Sequence, residues 1–225
     1  MLVLALESSA KSASAAVCND SELLGQYFQN SKLTHSRTLL SMAESLLGNL
    51  DMTVGDIGLF AVAAGPGSFT GTRIGVAAAK GLAWGLDAPV CGVSALEAMA
   101  YQVPEPGCVI CAVMDARREQ VYNALFEWRN GALARLCADR AIPLAELAAD
   151  SGAYDLPFLL VGDGAALSFD FLVSAGVSCR VAPELLRWQS AYGVALAALH
   201  TEPVSAIELE PFYLRPSQAE RERRE

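Results

Sequence analysis

A short apolar segment that runs directly into closely spaced glycines occurs twice in the chain. Residues 59–64 lead into Gly65-Pro66-Gly67, and residues 158–161 lead into Gly162-Asp163-Gly164. An apolar meander precedes each of these loops, and a helical pattern follows each of them. This repeated order predicts an α/β protein that arose by a distant internal duplication, with a mixed sheet flanked by helices in each half.

Apolar periodicity predicts the elements of both halves. In the first half, strands are expected over residues 2–6, 14–18, 23–29, 59–64 and 89–93, and helices over 36–50, 70–86 and 94–101. In the second half, strands are expected over residues 108–114, 120–128, 132–138 and 158–161, and helices over 143–149 and 184–200. The pair Asn130-Gly131 favours a tight hairpin turn between two of these strands.

The proline-rich segment 104–107 is the predicted boundary between two lobes. The first lobe is expected over residues 1–103, completed by a C-terminal helical segment over about 184–216. A second, degenerate lobe is expected over residues 104–183, and the mixed-charge residues 217–225 are expected to form a frayed tail.

The composition and charge exclude several classes of protein. Apolar residues make up 53% of the chain, yet no run approaches the roughly 18 residues of a membrane-spanning helix, and no signal peptide precedes Glu7. We therefore expect a cytoplasmic protein without a membrane partner. The formal net charge of -9 argues against a broad nucleic-acid-binding surface, so any RNA contact is expected to be local or shared with a partner.

Six cysteines fit a reducing compartment, and only Cys108 and Cys111 have the spacing of a redox pair or half a zinc site. They lie in an apolar segment that reads as a buried strand, where side chains three positions apart point to opposite faces of the sheet. We interpret them as ordinary core cysteines.

The glycine loop at residues 65–71 has two interpretations that the loop alone does not separate. Gly65, Gly67, Ser68 and Thr70 precede or open a helix, where free backbone amides and the helix dipole attract anions. Alternatively, the glycines form a tight turn that lets the helix pack closely against the sheet. The sequence is neither a GxxxxGK[ST] phosphate loop nor a GxGxxG fingerprint.

Two helices of the first half raise the question of a partner surface. Gly71, Gly75 and Ala79 recur every four residues and leave a smooth strip on which another helix could lie. The preceding helix has a wider apolar arc than one core-facing side usually needs, at Leu39, Leu40, Met42, Ala43, Leu46, Leu47 and Leu50. Each helix alone favours a core role, whereas the two together also fit an association surface.

Catalytic patterns are scarce. The only histidines, His35 and His200, form no metal-ligand pattern with each other or with nearby carboxylates, and GxSxG is absent. The sequence therefore predicts no catalytic residue, no metal and no cofactor. The alternative is a small-molecule phosphotransferase, whose site would use Glu7, Asp115 and the loops at Gly65 and Gly162.

Five segments together resemble the bacterial TsaB family. They are Glu7-Ser8-Ser9, residues 34–40 (THSRTLL), residues 65–75 (GPGSFTGTRIG), residues 79–82 (AKGL) and residues 92–97 (GVSALE). The match spans nearly all of the first lobe, and residues 115–122 and 213–215 extend it weakly. The family usually has Asp where this chain has Glu7.

The resemblance implies the duplicated fold of actin, Hsp70 and sugar kinases. It also implies a role in forming N6-threonylcarbamoyladenosine at position 37 of tRNAs that read codons starting with A. In this family TsaB is the non-catalytic partner of the transferase TsaD, joined by the ATPase TsaE, and would meet tRNA only through the complex. Ala95 and Met99 stand where TsaD has two metal-binding histidines, and neither can replace imidazole on a metal.

The resemblance also implies that the first-lobe helices bind TsaD, or a second copy of the chain, in a helix bundle. The residues assigned to this contact are His35, Arg37, Leu39, Met42, Ala43, Leu46, Leu50, Gly71, Arg73, Gly75, Ala78 and Ala79.

Overall fold

Two sheets with the same strand topology form the fold in the computed structural model, which describes residues 1–31 and 33–215. The strands of the first sheet are β1 (Leu2–Glu7), β2 (Ala13–Asn19), β3 (Glu22–Gln29), β4 (Leu59–Gly65) and β5 (Val90–Ser94). Their order is β3-β2-β1-β4-β5. The first three strands form an antiparallel meander, and β4 and β5 continue the sheet in parallel with β1.

The second sheet repeats this plan. Its strands are β6 (Val109–Asp115), β7 (Gln120–Arg129), β8 (Ala132–Arg135), β9 (Arg140–Pro143), β10 (Phe158–Val161) and β11 (Cys179–Val181). Their order is β11-β10-β6-β7-β8, with β10 and β11 parallel to β6 and with β9 beside the first half of β7. The repeated topology confirms the predicted duplicated α/β fold of the actin and sugar-kinase type.

The helices complete a stack of alternating layers. They are α1 (His35–Asn49), α2 (Phe69–Trp84), α3 (Ala95–Tyr101), α4 (Leu144–Asp150), α5 (Ala165–Ser174), α6 (Glu184–Arg187) and α7 (Ala191–Ala198). Helices α1 and α2 cover the outer face of the first sheet, and α4 and α5 cover the outer face of the second. Helices α3 and α7 lie between the two sheets.

Strand alternation explains why each sheet is covered on both sides. In β1, Leu4 and Leu6 point toward α1 and α2, whereas Val3 and Ala5 point toward the central helices. The central core is continuous and includes buried side chains of both sheets. The division of the chain into lobes at residue 104 therefore stays a prediction.

The single helix predicted over residues 184–200 is wrong, because the chain leaves helical geometry at residues 188–190 between α6 and α7. The backbone carbonyls there are used by other elements. Gln102 donates its side-chain amide to the carbonyl oxygens of Leu186 and Trp188, at 2.9 and 2.7 Å, and the hydroxyl of Ser12 donates to that of Gln189 at 2.9 Å. These bonds replace the helical ones, which local sequence patterns do not reveal.

Of the other predictions, some agree with the structure and one concerns residues that the structure does not describe. Asn130 and Gly131 both have positive φ, 52° and 79°, as the predicted turn between β7 and β8 requires. Cys108 packs in the central core and Cys111 in the outer core of the second sheet, which confirms their opposite orientations. No helix in the described part of the chain is both long and apolar enough to cross a membrane. The tail predicted at residues 217–225 lies outside the described residues.

Candidate functional site

The glycine loop connects β4 to α2, and its glycines allow backbone segments to touch. Gly65 has a φ of 129°, a conformation that other residues rarely adopt, and an added Cβ would lie 2.2 Å from the carbonyl oxygen of Phe212. At Gly67, an added Cβ would lie 2.3 Å from the carbonyl oxygen of Ser9. Both glycines are thus required by contacts within the chain itself.

The small-residue strip of α2 also faces the interior. A Cβ at Gly71 would lie 2.1 Å from the carbonyl oxygen of Ser8, and one at Gly75 would lie 2.6 Å from its hydroxyl. This hydroxyl donates to the carbonyl oxygen of Gly71 at 2.9 Å, and Ala79 is fully buried. The prediction that Gly71, Gly75 and Ala79 contact a partner is therefore corrected: the strip packs α2 onto its own sheet.

The loop amides are partly used within the chain. The amide of Ser68 donates to the carbonyl oxygen of Ser9 at 2.6 Å, and the hydroxyl of Ser68 accepts from the amide of Gly71 at 3.2 Å. Ser68 is thus the N-cap of α2, which favours the tight-turn interpretation. Anion binding by Gly65, Gly67, Ser68 and Thr70 stays a prediction.

An open groove of about 570 Å³ separates the glycine loop from the end of β6. Its polar lining residues are Ser9, Lys11, Ser68, Thr70, Asp115, Arg117, Tyr122, Asp163, Tyr213 and Arg215. Residues of both repeats therefore line this groove.

Glu7, the residue at the end of β1, is sealed beneath this groove. Its side chain is fully buried, and its Oε1 accepts a 2.5 Å hydrogen bond from the amide of Ser9. Its Oε2 has no hydrogen-bond partner among the described residues. Burial raises the pKa of Glu7 to about 7, and the nearby carboxylate of Asp163 adds to this increase. A buried carboxyl group of this kind is poorly placed to bind a nucleotide-bound metal.

The other acidic residues of the phosphotransferase alternative are differently placed. Burial raises the pKa of Asp163, whose Oδ1 accepts from the side-chain amide of Gln189 at 2.9 Å. Asp115 is exposed, and its Oδ1 accepts from the amide of Arg117 at 2.7 Å. Among the described residues, no three His, Cys, Asp or Glu side chains are grouped so that they could hold a metal ion.

A C-terminal strap, residues 211–215, crosses the glycine loop and reaches the second sheet. The amide of Phe212 donates to the carbonyl oxygen of Ala64 at 2.7 Å, and the ring of Tyr213 lies 4.9 Å from that of Phe69. At the far end, Arg215 donates to the carbonyl oxygen of Ala116 at 3.1 Å. The sequence places these residues at the end of the helical segment expected over about 184–216, whereas the structure has no helix at residues 211–215. The weak family match at residues 213–215 is the one sequence signal of the strap.

The strap also contacts Arg73, which lies on α2. Its Nε donates to the hydroxyl of Tyr213 at 2.7 Å, and its guanidinium carbon lies 3.8 Å from the centre of the Phe69 ring. These contacts link the strap to α2. Arg73 is exposed, and its assignment to a partner contact stays a prediction.

The wide apolar arc of α1 is mostly buried against the first sheet. Leu39, Ala43 and Leu46 pack against the first sheet, so a partner cannot reach them, and this part of the predicted contact set is corrected. The arc is wide because α1 packs on the sheet and also meets α2. Met42, Leu50 and Ala78 are partly buried at the edge of the same core.

The accessible outer surface of α1 and α2 is therefore smaller than predicted. Arg37 is exposed, and His35 is half-buried with its Nε2 2.7 Å from the carbonyl oxygen of Ala10. Leu40 is 48% exposed and Trp84 is 64% exposed. We call the exposed side of the two helices, defined by Arg37, Leu40, Ala77 and Trp84, the outer helix face.

Ala95 and Met99, at the positions that the resemblance aligns with two histidines of TsaD, lie in the central layer. Both side chains are buried in the continuous core. Neither residue faces the groove, and their apolar side chains supply packing rather than metal ligands.

Comparisons with known sequences agree with one another. The family described as "TsaD: tRNA N6-adenosine threonylcarbamoyltransferase" matches residues 22–200. The tRNA threonylcarbamoyladenosine biosynthesis protein TsaB of Bacillus subtilis is 36% identical over 167 residues, which cover 74% of this chain and 73% of that protein. TsaB of Haemophilus influenzae is 30% identical, with 96% of this chain and 94% of that protein covered.

Solved structures show the same relationship. A Pseudomonas aeruginosa protein described as similar to peptidase YEAZ is 27% identical, with a TM-score of 0.79 over 95% of this chain and 99% of that one. The ethanolamine utilization protein EutJ of Carboxydothermus hydrogenoformans is 12% identical, with a TM-score of 0.51 over 88% of this chain and 90% of that one. EutJ is a likeness of fold alone.

Proposed function

The chain belongs to the TsaB family of tRNA threonylcarbamoyladenosine biosynthesis proteins, and from this premise we propose that it is a non-catalytic subunit that binds and activates the TsaD transferase. The modified nucleoside would be N6-threonylcarbamoyladenosine at position 37 of tRNAs that read codons starting with A. The ATPase TsaE would join the complex, which would work in the cytoplasm.

The observation that carries this proposal is the chemistry of three buried side chains, at positions 7, 95 and 99. Ala95 and Met99 stand where the family resemblance implies a metal-binding histidine pair in TsaD, and both lie in the core. Glu7, the acidic residue at the end of β1, is fully buried and has a raised pKa, so it is poorly placed to act on a phosphate. A chain that keeps the fold without a histidine pair and without an accessible carboxylate at the end of β1 fits a binding subunit better than a second transferase.

Reconstitution tests the proposal directly. TsaD, TsaE, unmodified tRNA and the activated threonylcarbamoyl donor are mixed with and without this chain, and modified adenosine is measured in the tRNA. We expect modification to depend on the chain, with a rate at least about tenfold lower in its absence, a loss of about 1.4 kcal/mol of transition-state stabilisation. Equal rates would refute the activator role. ATP turnover by the chain alone would favour the phosphotransferase.

The outer helix face is the proposed contact with the transferase. We expect Leu40→Asp to abolish co-purification with TsaD, because a carboxylate introduced at the centre of an apolar contact is desolvated without a partner. Leu40 is 48% exposed, so the variant should keep its fold. The measurement is retention of TsaD on the tagged chain, combined with the thermal unfolding midpoint of each variant.

Leu167→Asp is the matched control, because Leu167 is 43% exposed on α5, on the opposite side of the molecule. It should bind TsaD normally. Leu46→Asp is unsuitable for this purpose, since Leu46 is only 3% exposed and its substitution would unfold the first lobe. If Leu40→Asp and Leu167→Asp retain TsaD equally, the contact lies elsewhere. A homodimer through the same face should likewise become monomeric only in Leu40→Asp.

A further inference from the structure

Some cationic side chains of this acidic chain form ion pairs with carboxylates, whereas others do not. Arginines that form ion pairs with carboxylates are Arg129, Arg135, Arg140, Arg180 and Arg187. By contrast, seven described lysines and arginines form no ion pair with any described residue. Four of these lie at or next to the groove, and we call them the basic rim: Lys11, Arg117, Arg118 and Arg215. The chain has 25 carboxylates and 16 lysines and arginines, so most cations could find a carboxylate partner. A group of unpaired cations at one place therefore needs an explanation.

The basic rim surrounds the mouth of the interlobe groove. Lys11, Arg117 and Arg215 line the groove, and Arg118 follows Arg117 in the exposed turn between β6 and β7. Two carboxylates, Asp115 and Asp163, face the same groove. The amide of Arg117 donates to Asp115, and the side-chain amide of Gln189 donates to Asp163. The charge of Lys11 also attracts the carboxylate of Asp163. Arg117, Arg118 and Arg215 are therefore the rim cations that face no described carboxylate partner of this kind.

The turn that presents the arginines has an unusual backbone. Arg117, Arg118 and Glu119 have φ values of 63°, 56° and 58°, the left-handed region that non-glycine residues rarely occupy. Hydrogen bonds maintain this conformation: the amide of Ala116 donates to the carbonyl oxygen of Gln120 at 3.0 Å, and the amide of Leu144 donates to that of Glu119 at 3.2 Å. These bonds close the turn at residues 116–120, which holds both arginines beside the groove.

Exposed aromatic rings lie beside these cations. Phe212 is 48% exposed and Tyr213 is 37% exposed, and both line the groove with Arg215 of the same strap. Cations next to exposed aromatic rings suit a nucleic acid, because phosphates pair with the cations and unpaired bases stack on the rings. An acidic peptide would use the cations but would have no particular need of the rings.

We propose that the basic rim binds the sugar-phosphate backbone of tRNA, with Phe212 as a stacking surface for an unpaired base. This inference rests on the proposed function, which makes tRNA the substrate of the complex, and it adds a direct contact by this chain. The negative charge elsewhere on the chain would restrict the RNA to this one place. The contact is therefore local, with few phosphates and a modest salt dependence.

The test compares two double variants that each remove two positive charges. Arg117→Asn with Arg118→Asn changes the rim, and asparagine tolerates the left-handed backbone of the turn. Arg129→Gln with Arg180→Gln is the control, because both of these arginines are already paired, with Glu127 and Glu105. Fluorescent unmodified tRNA is titrated against the complex of each full-length chain with the transferase, between about 50 and 200 mM salt.

The rim variant should bind tRNA about threefold to tenfold more weakly at about 100 mM salt, and its salt slope should fall by about 1 to 2. Phe212→Ala should weaken binding with an unchanged slope, because stacking involves no counterion release. The control variant should behave as the unmodified chain. Equal affinity and slope for rim and control variants would overturn the inference.

Loss of transferase binding by the rim variant would also overturn the inference, because the rim would then be a protein interface. If no complex forms even with the unmodified chain, the proposed function fails, and the same titration is made with the chain alone at about 50 mM salt. Rim-dependent binding would then keep the RNA contact, and absence of binding would refute it separately.

Discussion

Replacing Gly71 with alanine should lower the free energy of unfolding by about 3 kcal/mol, a large loss for a single methyl group. The new Cβ would lie 2.1 Å from the carbonyl oxygen of Ser8, and backbone cannot move away as a flexible side chain can. Helix α2 would have to shift away from β1, which would disturb the glycine loop and the hydrogen bond from Ser8 to Gly71. Urea-induced unfolding followed by circular dichroism measures the loss.

Gly81→Ala in the same helix is the control. An added Cβ there meets nothing within 4 Å, and the position is exposed. Alanine has a better helix propensity than glycine, so this variant should be more stable by about 0.5 to 1 kcal/mol. Two alanine substitutions in one helix should therefore have opposite signs. A small effect at Gly71 would mean that α2 does not need its close contact with β1.

Replacing Glu7 with glutamine should change how stability depends on pH. The unfolded chain releases this proton near its ordinary pKa of 4.5, whereas the folded chain holds it until a pKa of about 7. Between these values the folded state binds more protons, so the contribution of Glu7 to stability decreases as pH rises from about 4.5 to about 7. Above that range, the buried charge costs about 3 kcal/mol.

The side-chain amide of glutamine does not ionise in this pH range. At about pH 8 the Glu7→Gln variant should therefore be more stable than the unmodified chain by up to about 3 kcal/mol. At about pH 4 the two proteins should be nearly equal in stability. Unfolding free energies across this range measure the difference. Asp163 also has a raised pKa and leaves part of the slope in the variant. Parallel pH profiles for the two proteins would show that the carboxyl group of Glu7 is not buried in the folded chain.

Local patterns predicted most of the fold because its strands are short apolar runs with distinct turns. The duplication was visible in the two strand-glycine-loop repeats, and Asn130-Gly131 marked the hairpin between β7 and β8. The pattern failed at residues 188–190, where Gln102 and Ser12 take the carbonyl oxygens that a continuous helix would have used. These donors are distant in sequence, so no local window contains them. Strands β9 and β11 were also missed.

The candidate site was predicted less completely than the fold. The glycine loop was found, and close packing of the following helix was one of its two interpretations. The residues that leave no space for a Cβ were not predicted, since Ser8, Ser9 and Phe212 approach the loop only in the folded chain.

The apolar arc of α1 looked wide enough to bind a partner. Periodicity shows which residues share a face of a helix. It does not show that α2 and the sheet both cover that face. Buried Leu46 was therefore assigned to the partner contact, and exposed Leu40 was not.

The continuous central core has a mechanical consequence. Hinged two-lobed proteins respond to a ligand by changing the angle between lobes that are each stable alone. Here α3 and α7 supply one interior to both sheets, so widening the groove would expose apolar surface that neither sheet can cover by itself. The chain should therefore move as one body. A partner that docks on the outer helix face would then bind a rigid surface, and the groove would not open and close.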